Sequence, residues 1–394
     1  MDSIKGKAAI CGLGITEMGR IYGFDAYHFA AEAIRLAAED AGLRKDDIDG
    51  LLINAGTGGP SGGPIGLGLQ NYLGLRNLRL MNHMNAFGAT AGSMVQFASL
   101  ALSAGMANYV ACVFADAPLS EGRSAGAAYG GLGPAQPRGM ASLPAAYGLF
   151  GANSAYALAA SRHMALYGTT SEQLGAIAVS TRAWAAMNPR AQIRTPITLE
   201  DYLLSPYIVE PLRLLDCCLV SNGGVAVIVT TAERAREMPQ PPVYVWGMGQ
   251  GHPGDTRRAG EAPETETGAR IARDTAFRMA GVDAGDIDLC EVYDCYTYTV
   301  LVTLEDYGFC AKGEGGPFVA DGRLGPGGSL PTNTGGGQLS GYYMWGMTPV
   351  SEAVIQARGQ GEDRQVPKHD VILVTGNGGV LSHHACLILS PHPS

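Results

Sequence analysis

Charged side chains are scarce in this sequence of 394 residues, where Asp, Glu, Lys and Arg make up only 16% of the chain. Hydrophobic residues make up 46%, so the composition excludes a disordered chain and predicts a well-packed core. The net charge is −9, and the basic residues form no cluster. Because nucleic-acid binding requires a basic surface, the sequence predicts a protein that binds no nucleic acid.

The sequence also lacks a hydrophobic run typical of a membrane span. Residues 80–115 contain no charged side chain, but Gly105 and Asn108 interrupt the run, as in a helix that ends before a buried strand. The N-terminal residues lack the layout of a signal peptide. The eight cysteines lack the paired spacing of a metal site. We therefore predict a cytoplasmic protein without a membrane segment or a metal centre.

Glycine, in contrast, is abundant. The 56 glycines cluster at 55–68, 125–134 and 325–337, which predicts long irregular loops. Two interpretations remain open for these loops: simple flexibility, or close approach of the backbone to a ligand or to another subunit.

An internal repeat indicates how the chain is organised. Residues 33–49 and 272–288 both form the pattern of an amphipathic helix, ended near Gly42 or Gly281 and followed by a short apolar strand. Helical patterns at 88–104 and 347–358 likewise precede apolar strands at 109–114 and 370–375. We therefore predict an α/β fold of two similar halves, with parallel sheets covered by helices in an α/β/α/β/α layered body.

The regular alternation breaks between residues about 116 and 215. This stretch contains helical patterns at 152–167 and 171–187 and is rich in Gly, Ala, Pro and Tyr. We predict an insertion over one end of the sheets, where binding loops usually lie. The Pro-rich segment 239–242 then links an N-terminal half, residues 1–240, to a C-terminal half, residues 241–394.

Several short motifs occur in order along the chain. They are the opening strand Lys7-Ala-Ala-Ile-Cys-Gly-Leu-Gly14, Asp216-Cys-Cys, Asn222-Gly-Gly, Glu291-Val-Tyr-Asp-Cys-Tyr296 and Gly376-Asn-Gly-Gly379. Together they resemble the sterol-carrier, or lipid-transfer, branch of the thiolase superfamily. The resemblance covers nearly the whole chain. It implies a thiolase-like duplicated fold with an inserted loop domain.

The sequence departs from that family at its reactive groups. Thiolases use a cysteine at the N-terminus of a buried helix, where the helix dipole lowers the thiol pKa. The matching stretch here, residues 86–93, contains no cysteine, and Gly88 takes its place. The turn at 376–379 also lacks the second reactive cysteine. The two family histidines are matched by Tyr293 and Tyr343, so acyl exchange would have no covalent carrier.

This pattern resembles the lipid-transfer-protein-like aldolases of bacterial steroid side-chain degradation. The resemblance implies retro-aldol cleavage of a β-hydroxy acyl-CoA, 17-hydroxy-3-oxo-pregnene-20-carboxyl-CoA, to a 17-keto steroid and propionyl-CoA. CoA is then part of the substrate, and we expect no separate cofactor. The resemblance also implies a homodimer core and a heterocomplex with a separate subunit that carries an OB-fold and a zinc ribbon.

Three groups of residues form the predicted site. Tyr293 and Tyr343 are the predicted acid and base, in an order that the sequence leaves open, because a tyrosine can fill either role if its pKa is shifted. The predicted backbone donors to the thioester oxygen are Gly88, Ala89, Gly378 and Gly379. Asp294 and His384 are candidates for tuning a tyrosine or relaying a proton.

Two other functions compete with the aldolase. The chain could be a non-catalytic scaffold or lipid carrier that stabilises another subunit, or an acyltransferase with a displaced nucleophile such as Cys295. A pure scaffold has no need of tyrosines at both catalytic positions, and the missing cysteine at position 88 weighs against acyl transfer.

Overall fold

The computed structural model describes residues 4–54, 65–128, 142–149, 151–254 and 265–393. Its strands are β1 (Ala8–Ile15), β2 (Gly50–Asn54), β3 (Leu80–Met84), β4 (Val110–Asp116), β5 (Tyr207–Val209), β6 (Leu212–Arg213), β7 (Gly223–Thr231), β8 (Val243–Gly251), β9 (Leu289–Glu291), β10 (Ile372–Gly378) and β11 (His383–Ser390).

The helices alternate with these strands in both halves of the chain. They are α1 (Ala26–Asp40), α2 (Leu69–Leu73), α3 (Thr90–Ser103), α4 (Leu143–Ala146), α5 (Gly151–Tyr167), α6 (Ser171–Met187), α7 (Leu199–Leu204), α8 (Ala232–Ala235), α9 (Ala269–Ala280), α10 (Thr297–Asp306), α11 (Gly315–Val319) and α12 (Met347–Ala357). Among the described residues, no helix combines the length and the apolar character that crossing a bilayer requires.

The main sheet is mixed, which corrects the expectation of parallel sheets. Its order is β3-β2-β4-β7-β1-β8-β11-β10-β9. Strands β2–β3, β2–β4 and β9–β10 pair in parallel, whereas β7 and β11 run antiparallel to their neighbours. The reason is local for β11, because a short turn joins it to β10, and a tight hairpin can connect only antiparallel strands.

The order of the strands confirms the predicted duplication. The order β2-β4-β7-β1 in the first half is repeated as β9-β10-β11-β8 in the second. Equivalent aspartates follow the equivalent helices: Asp49 accepts hydrogen bonds from the amides of Asn108 and Tyr109, and Asp288 accepts them from Asp370 and Val371. Each aspartate therefore ties the start of one strand to the start of its parallel neighbour.

Helices α3 and α12 pack between strands of the two halves, whereas α1 covers the first half from outside and α9 covers the second. Their small and apolar residues, such as Met94, Ala98 and Ala353, are completely buried. This arrangement confirms the layered body, and it directs the N-termini of both central helices toward the motif loops.

The predicted insertion lies between β4 and β7 and contains helices α4–α7 and the β5–β6 hairpin. Helix α6 spans residues 171–187 as predicted, and α5 begins one residue before its predicted start. Of the glycine-rich stretches, residues 55–64 and 129–134 lie outside the described residues. The division of the chain near residue 240 stays a prediction.

Candidate active site

Tyr293 lies in the loop that follows β9, and its backbone is held on both sides. Its amide donates to Thr375 Oγ1 at 3.2 Å, and its carbonyl accepts from Thr299 Oγ1 at 3.1 Å. The side chain is 4% exposed. Burial, with smaller contributions from Cys295 and Asp294, holds the pKa of Tyr293 well above its ordinary value. At neutral pH Tyr293 is therefore a neutral phenol.

Tyr343 lies at the end of a segment that begins with one turn of π-helix, Gly337–Gly341. Its amide donates to Ser221 Oγ at 2.9 Å, and Gln192 Nε2 donates to the same oxygen at 2.5 Å. The amides of Gln192 and Ile193 donate to carbonyls of the same segment. The insertion therefore fixes the backbone that carries Tyr343.

The structure brings the two predicted tyrosines together. Tyr293 Oη lies 3.4 Å from Tyr343 Oη, although the residues are 50 positions apart in sequence. This distance is longer than the roughly 2.5–3.0 Å that is usual for a hydrogen bond between two hydroxyl groups. The two hydroxyls are therefore neighbours in space, while their catalytic roles stay a prediction.

Gly88 lies directly beneath the ring of Tyr293. A Cβ atom at position 88 would lie 2.1 Å from Tyr293 Cε2 and 2.3 Å from the carbonyl oxygen of Asn377. The phenol ring therefore occupies the volume that a side chain at position 88 would need. Two groups thus exclude a side chain at position 88 in this structure: the ring of Tyr293 and the backbone carbonyl of Asn377.

The predicted backbone donors lie close to that contact. Gly88 and Ala89 lie in a single 3₁₀ turn that leads into α3, and a Cβ atom at Gly378 would lie 2.1 Å from the carbonyl oxygen of Ala86. The structure therefore brings the 86–89 turn and the end of β10 together. The amide of Ala89 already donates to the carbonyl of Ala86 at 3.1 Å, so this predicted donor has an acceptor within the protein.

Strained backbone surrounds the tyrosine pair. Phe87, Trp345, Val380 and Leu381 have φ angles of 51°, 48°, 52° and 68°, a region that disfavours bulky and β-branched residues. Each such residue costs on the order of 1–3 kcal/mol and persists only where its surroundings enforce it. Phe87 precedes Gly88, Trp345 lies two residues after Tyr343, and Val380 and Leu381 follow Gly379. Nothing in the sequence marks this strain, because the residue types are ordinary.

Asp294 is buried and turned toward backbone amides. Its Oδ1 accepts from the amide of Gln338 at 2.8 Å, and its Oδ2 accepts from that of Leu339 at 3.4 Å. Burial raises the pKa of Asp294 to about 7. The carboxylate adds to the raised pKa of Tyr293, which supports the predicted tuning role. The relay role stays a prediction.

His384 belongs to a different hydrogen-bonded pair. It lies opposite Asn377 in the β10–β11 hairpin, and its Nε2 lies 3.0 Å from Tyr307 Oη. The ring is completely buried, and burial lowers the pKa of His384 to about 3. This contact with Tyr307 favours a structural role for His384 over a relay role.

The lowered pKa of His384 predicts a loss of stability in acid. Between pH about 6.5 and 3 the unfolded chain binds a proton at this histidine that the folded chain does not, so the free energy of unfolding falls as the pH falls. From pH 7 to pH 5 the contribution of His384 should decrease by about 2 kcal/mol. Urea unfolding of the wild type and of His384→Gln at both pH values measures it. An equal pH dependence in both proteins would contradict the prediction.

Sequence analysis missed Tyr156, which forms a second tyrosine pair with Tyr296. Tyr156 from α5 accepts a hydrogen bond from Asn377 Nδ2 at 3.3 Å, and its ring centroid lies 4.5 Å from that of Tyr296. Tyr296 in turn donates to Asn153. Only the aromatic content of the insertion hinted at this wall, because no motif links α5 to residues 140 positions away.

The cysteines near the site are protonated thiols. Burial raises the pKa of Cys295 to about 12 and that of Cys217 to about 12. A neutral buried thiol is a poor nucleophile. Among the described residues, no group of three or more His, Cys, Asp or Glu side chains could hold a metal ion.

Comparison with known proteins identifies several relatives. A family model for a thiolase C-terminal domain-like unit matches residues 253–391. The steroid side-chain-cleaving aldolase of Thermomonospora curvata is 37% identical over 388 residues, covering 96% of this chain and 97% of that protein. The 17-hydroxy-3-oxo-4-pregnene-20-carboxyl-CoA lyase of Mycobacterium tuberculosis is 34% identical over 381 residues, covering 95% and 97%.

A solved structure described as an Ltp2-ChsH2(DUF35) aldolase matches the whole fold. It covers 99% of both chains with a TM-score of 0.86 and 36% sequence identity. The fold class predicted from the sequence is thereby confirmed.

Proposed function

The chain belongs to the thiolase-like family of steroid side-chain-cleaving aldolases, and we propose that it cleaves a β-hydroxy acyl-CoA by a retro-aldol reaction. The proposed substrate is 17-hydroxy-3-oxo-pregnene-20-carboxyl-CoA, and the products are a 17-keto steroid and propionyl-CoA. The observation that carries the proposal is the pair of hydroxyls 3.4 Å apart above a glycine that has no room for a thiol.

The reaction requires two proton transfers and no covalent intermediate. A base removes the proton of the C17 hydroxyl, the C17–C20 bond breaks, and its electron pair passes into the thioester as an enolate. C17 becomes a ketone. Protonation of the enolate carbon then gives propionyl-CoA, so no oxidant, reductant or separate cofactor takes part.

The burial of Tyr293 supports a division of roles between the tyrosines. Because its pKa is raised, Tyr293 keeps its proton at neutral pH and suits the part of general acid toward the enolate. Tyr343 is only partly buried and its oxygen faces that phenol. We assign it the task of accepting the hydroxyl proton from the substrate.

The thioester oxygen becomes negative as the enolate forms and needs hydrogen-bond donors. The turn at Gly88 and the end of β10 at Gly378 lie against each other beside Tyr293. Amides at the start of α3 also carry the positive end of that helix dipole. We propose that the thioester carbonyl lies at this junction, where backbone amides replace charged side chains.

The state of the cysteines favours aldol chemistry over acyl transfer. Cys295 is 5% exposed, and burial raises its pKa to about 12. It therefore does not supply the thiolate that a displaced nucleophile would have to be. A scaffold or lipid carrier has no use for two hydroxyls that separate motifs bring within 3.4 Å of each other.

Partner subunits are part of the proposal. The solved aldolase that matches this fold combines Ltp2 with ChsH2, a DUF35 protein, and we propose that this chain also binds a separate subunit of that type, with an OB-fold and a zinc ribbon. We further propose a cytoplasmic homodimer core formed at β3, an edge strand whose Met81, Asn82 and His83 are exposed. Light scattering of the purified chain measures the homodimer.

Product analysis tests the proposed function. The purified complex of this chain with its DUF35 subunit is mixed with the 17-hydroxy steroid thioester, and products are quantified by mass spectrometry. We expect the 17-keto steroid and propionyl-CoA in equal amounts. Exchange of acyl groups between two CoA esters without cleavage would instead support the transferase.

A further inference from the structure

Asp294 connects the loop that carries Tyr293 to the segment that carries Tyr343. Asp294 directly follows Tyr293, and its carboxylate accepts from the amides of Gln338 and Leu339, at the start of the segment that ends at Tyr343. Gly337 lies against this carboxylate, since a Cβ atom there would be 2.0 Å from Asp294 Oδ2. The contact therefore leaves room for only a glycine.

The segment 337–343 is held at both ends. Asp294 holds its first turn, and Ser221 Oγ accepts from the amide of Tyr343 at 2.9 Å. Between them Arg182 Nε donates to Ser340 Oγ at 2.7 Å. The Tyr293 side of the site is anchored separately, through Thr375 and Thr299. Of these contacts, the Asp294 carboxylate is the one that links the Tyr293 loop directly to the Tyr343 segment.

We infer that Asp294 is a positioning residue that holds the Tyr343 hydroxyl against the Tyr293 hydroxyl, by fixing segment 337–343 relative to the Tyr293 loop. The inference rests on the proposed function. It differs from a proton relay, because both oxygens of Asp294 face backbone amides. Misplacement of a reacting group by about 1 Å can lower a reaction rate about a hundredfold. Loss of the contacts between Asp294 and segment 337–343 should therefore slow the chemical step and leave substrate binding intact.

The test compares Asp294→Asn with a matched control, Asp288→Asn. Asp288 is also buried and also accepts from two successive amides, Asp370 and Val371, both at 2.9 Å, but it joins strands outside the site. In Asp294→Asn, the side chain keeps one acceptor oxygen and puts an NH₂ group against the other backbone amide. In Asp288→Asn, one oxygen can still accept from both amides, because both donate to Oδ2, and the NH₂ group replaces the oxygen that lies 2.6 Å from Lys368 Nζ. Both variants should therefore lose thermal stability, which unfolding of each variant measures.

Steady-state kinetics of the complex with its DUF35 subunit separate the two variants. We expect Asp294→Asn to lower kcat about a hundredfold with KM within about threefold of the wild type, and Asp288→Asn to change kcat by less than about threefold. If Asp294→Asn keeps wild-type kcat, or if Asp288→Asn loses as much, Asp294 has no special positioning role. Absence of cleavage by the wild type would instead refute the proposed function.

A second variant keeps the test decisive if Asp294→Asn fails to fold. Ser221→Ala removes the acceptor at the other end of the segment and preserves a small side chain. It should lower kcat about tenfold or more without a matching rise in KM. Wild-type kcat in Ser221→Ala would show that fixing segment 337–343 does not control the reaction, and would overturn the inference.

Discussion

Replacing Tyr293 with phenylalanine should lower kcat about a thousandfold, since a positioned acid or base typically contributes about a hundred- to ten-thousandfold. The phenyl ring keeps the contact with Gly88, because the atoms nearest to that glycine, Cε2 and Cζ, belong to the ring. The variant therefore loses the hydroxyl without opening a cavity. Its KM should stay close to that of the wild type.

Tyr342→Phe is the matched control for that result. Tyr342 is adjacent to Tyr343 in sequence and equally aromatic, but its hydroxyl lies 2.7 Å from Ser351 Oγ. Ser351 also donates to the Thr348 carbonyl, so it keeps a partner in the variant. Tyr342→Phe should keep kcat within about threefold of the wild type. If Tyr293→Phe were as active as this control, Tyr293 would be a wall residue.

Replacing Gly88 with alanine should abolish most of the activity, because the new side chain displaces the ring of Tyr293. The new methyl carbon would lie 2.1 Å from Cε2 of that ring, so the phenol must move away. We expect kcat to fall about a hundredfold or more. The overpacking should also destabilise the fold by about 1–3 kcal/mol. Kinetics and thermal unfolding of the same preparation measure both effects.

Gly92→Ala separates the loss of activity from the loss of stability. Gly92 lies one turn further along α3, and a Cβ atom there would lie 3.0 Å from the Cβ atom of Ala385. This variant should be destabilised and yet keep kcat within about threefold. In the double variant Gly88→Ala/Tyr293→Ala, stability should recover in part while activity stays lost. Full activity of Gly88→Ala would refute the steric coupling.

Local patterns were enough to predict the elements of the fold. The amphipathic pattern of residues 171–187 gave the bounds of α6, and the apolar run 50–54 gave β2, because each pattern depends on neighbours in sequence. The direction of β7 and β11 depends on how the chain returns to the sheet. Periodicity does not record that path, so the prediction of parallel sheets was wrong.

The site could be predicted only in part. Tyr293 and Tyr343 were found because both lie in motifs. The distance between their hydroxyl oxygens, however, depends on contacts with Ser221 and Thr375, which are far away in sequence. Tyr156 was missed because no motif connects α5 with Asn377. The predicted relay by His384 is not supported by its hydrogen bond to Tyr307, a partner that the sequence does not reveal.

The cleavage rate of the Tyr293→Phe/Tyr343→Phe variant, assembled with its DUF35 subunit, tests most directly whether the two phenols carry out the proton transfers. Ketone release from the 17-hydroxy steroid thioester is followed by mass spectrometry. Residues that act as one unit are not additive, so the double variant should be no slower than the slower single variant and about a thousandfold below the wild type. Without the acid–base step the rate should be about a thousandth of the wild-type rate. Ketone release at about a tenth of the wild-type rate or faster would therefore contradict a catalytic role for the two phenols.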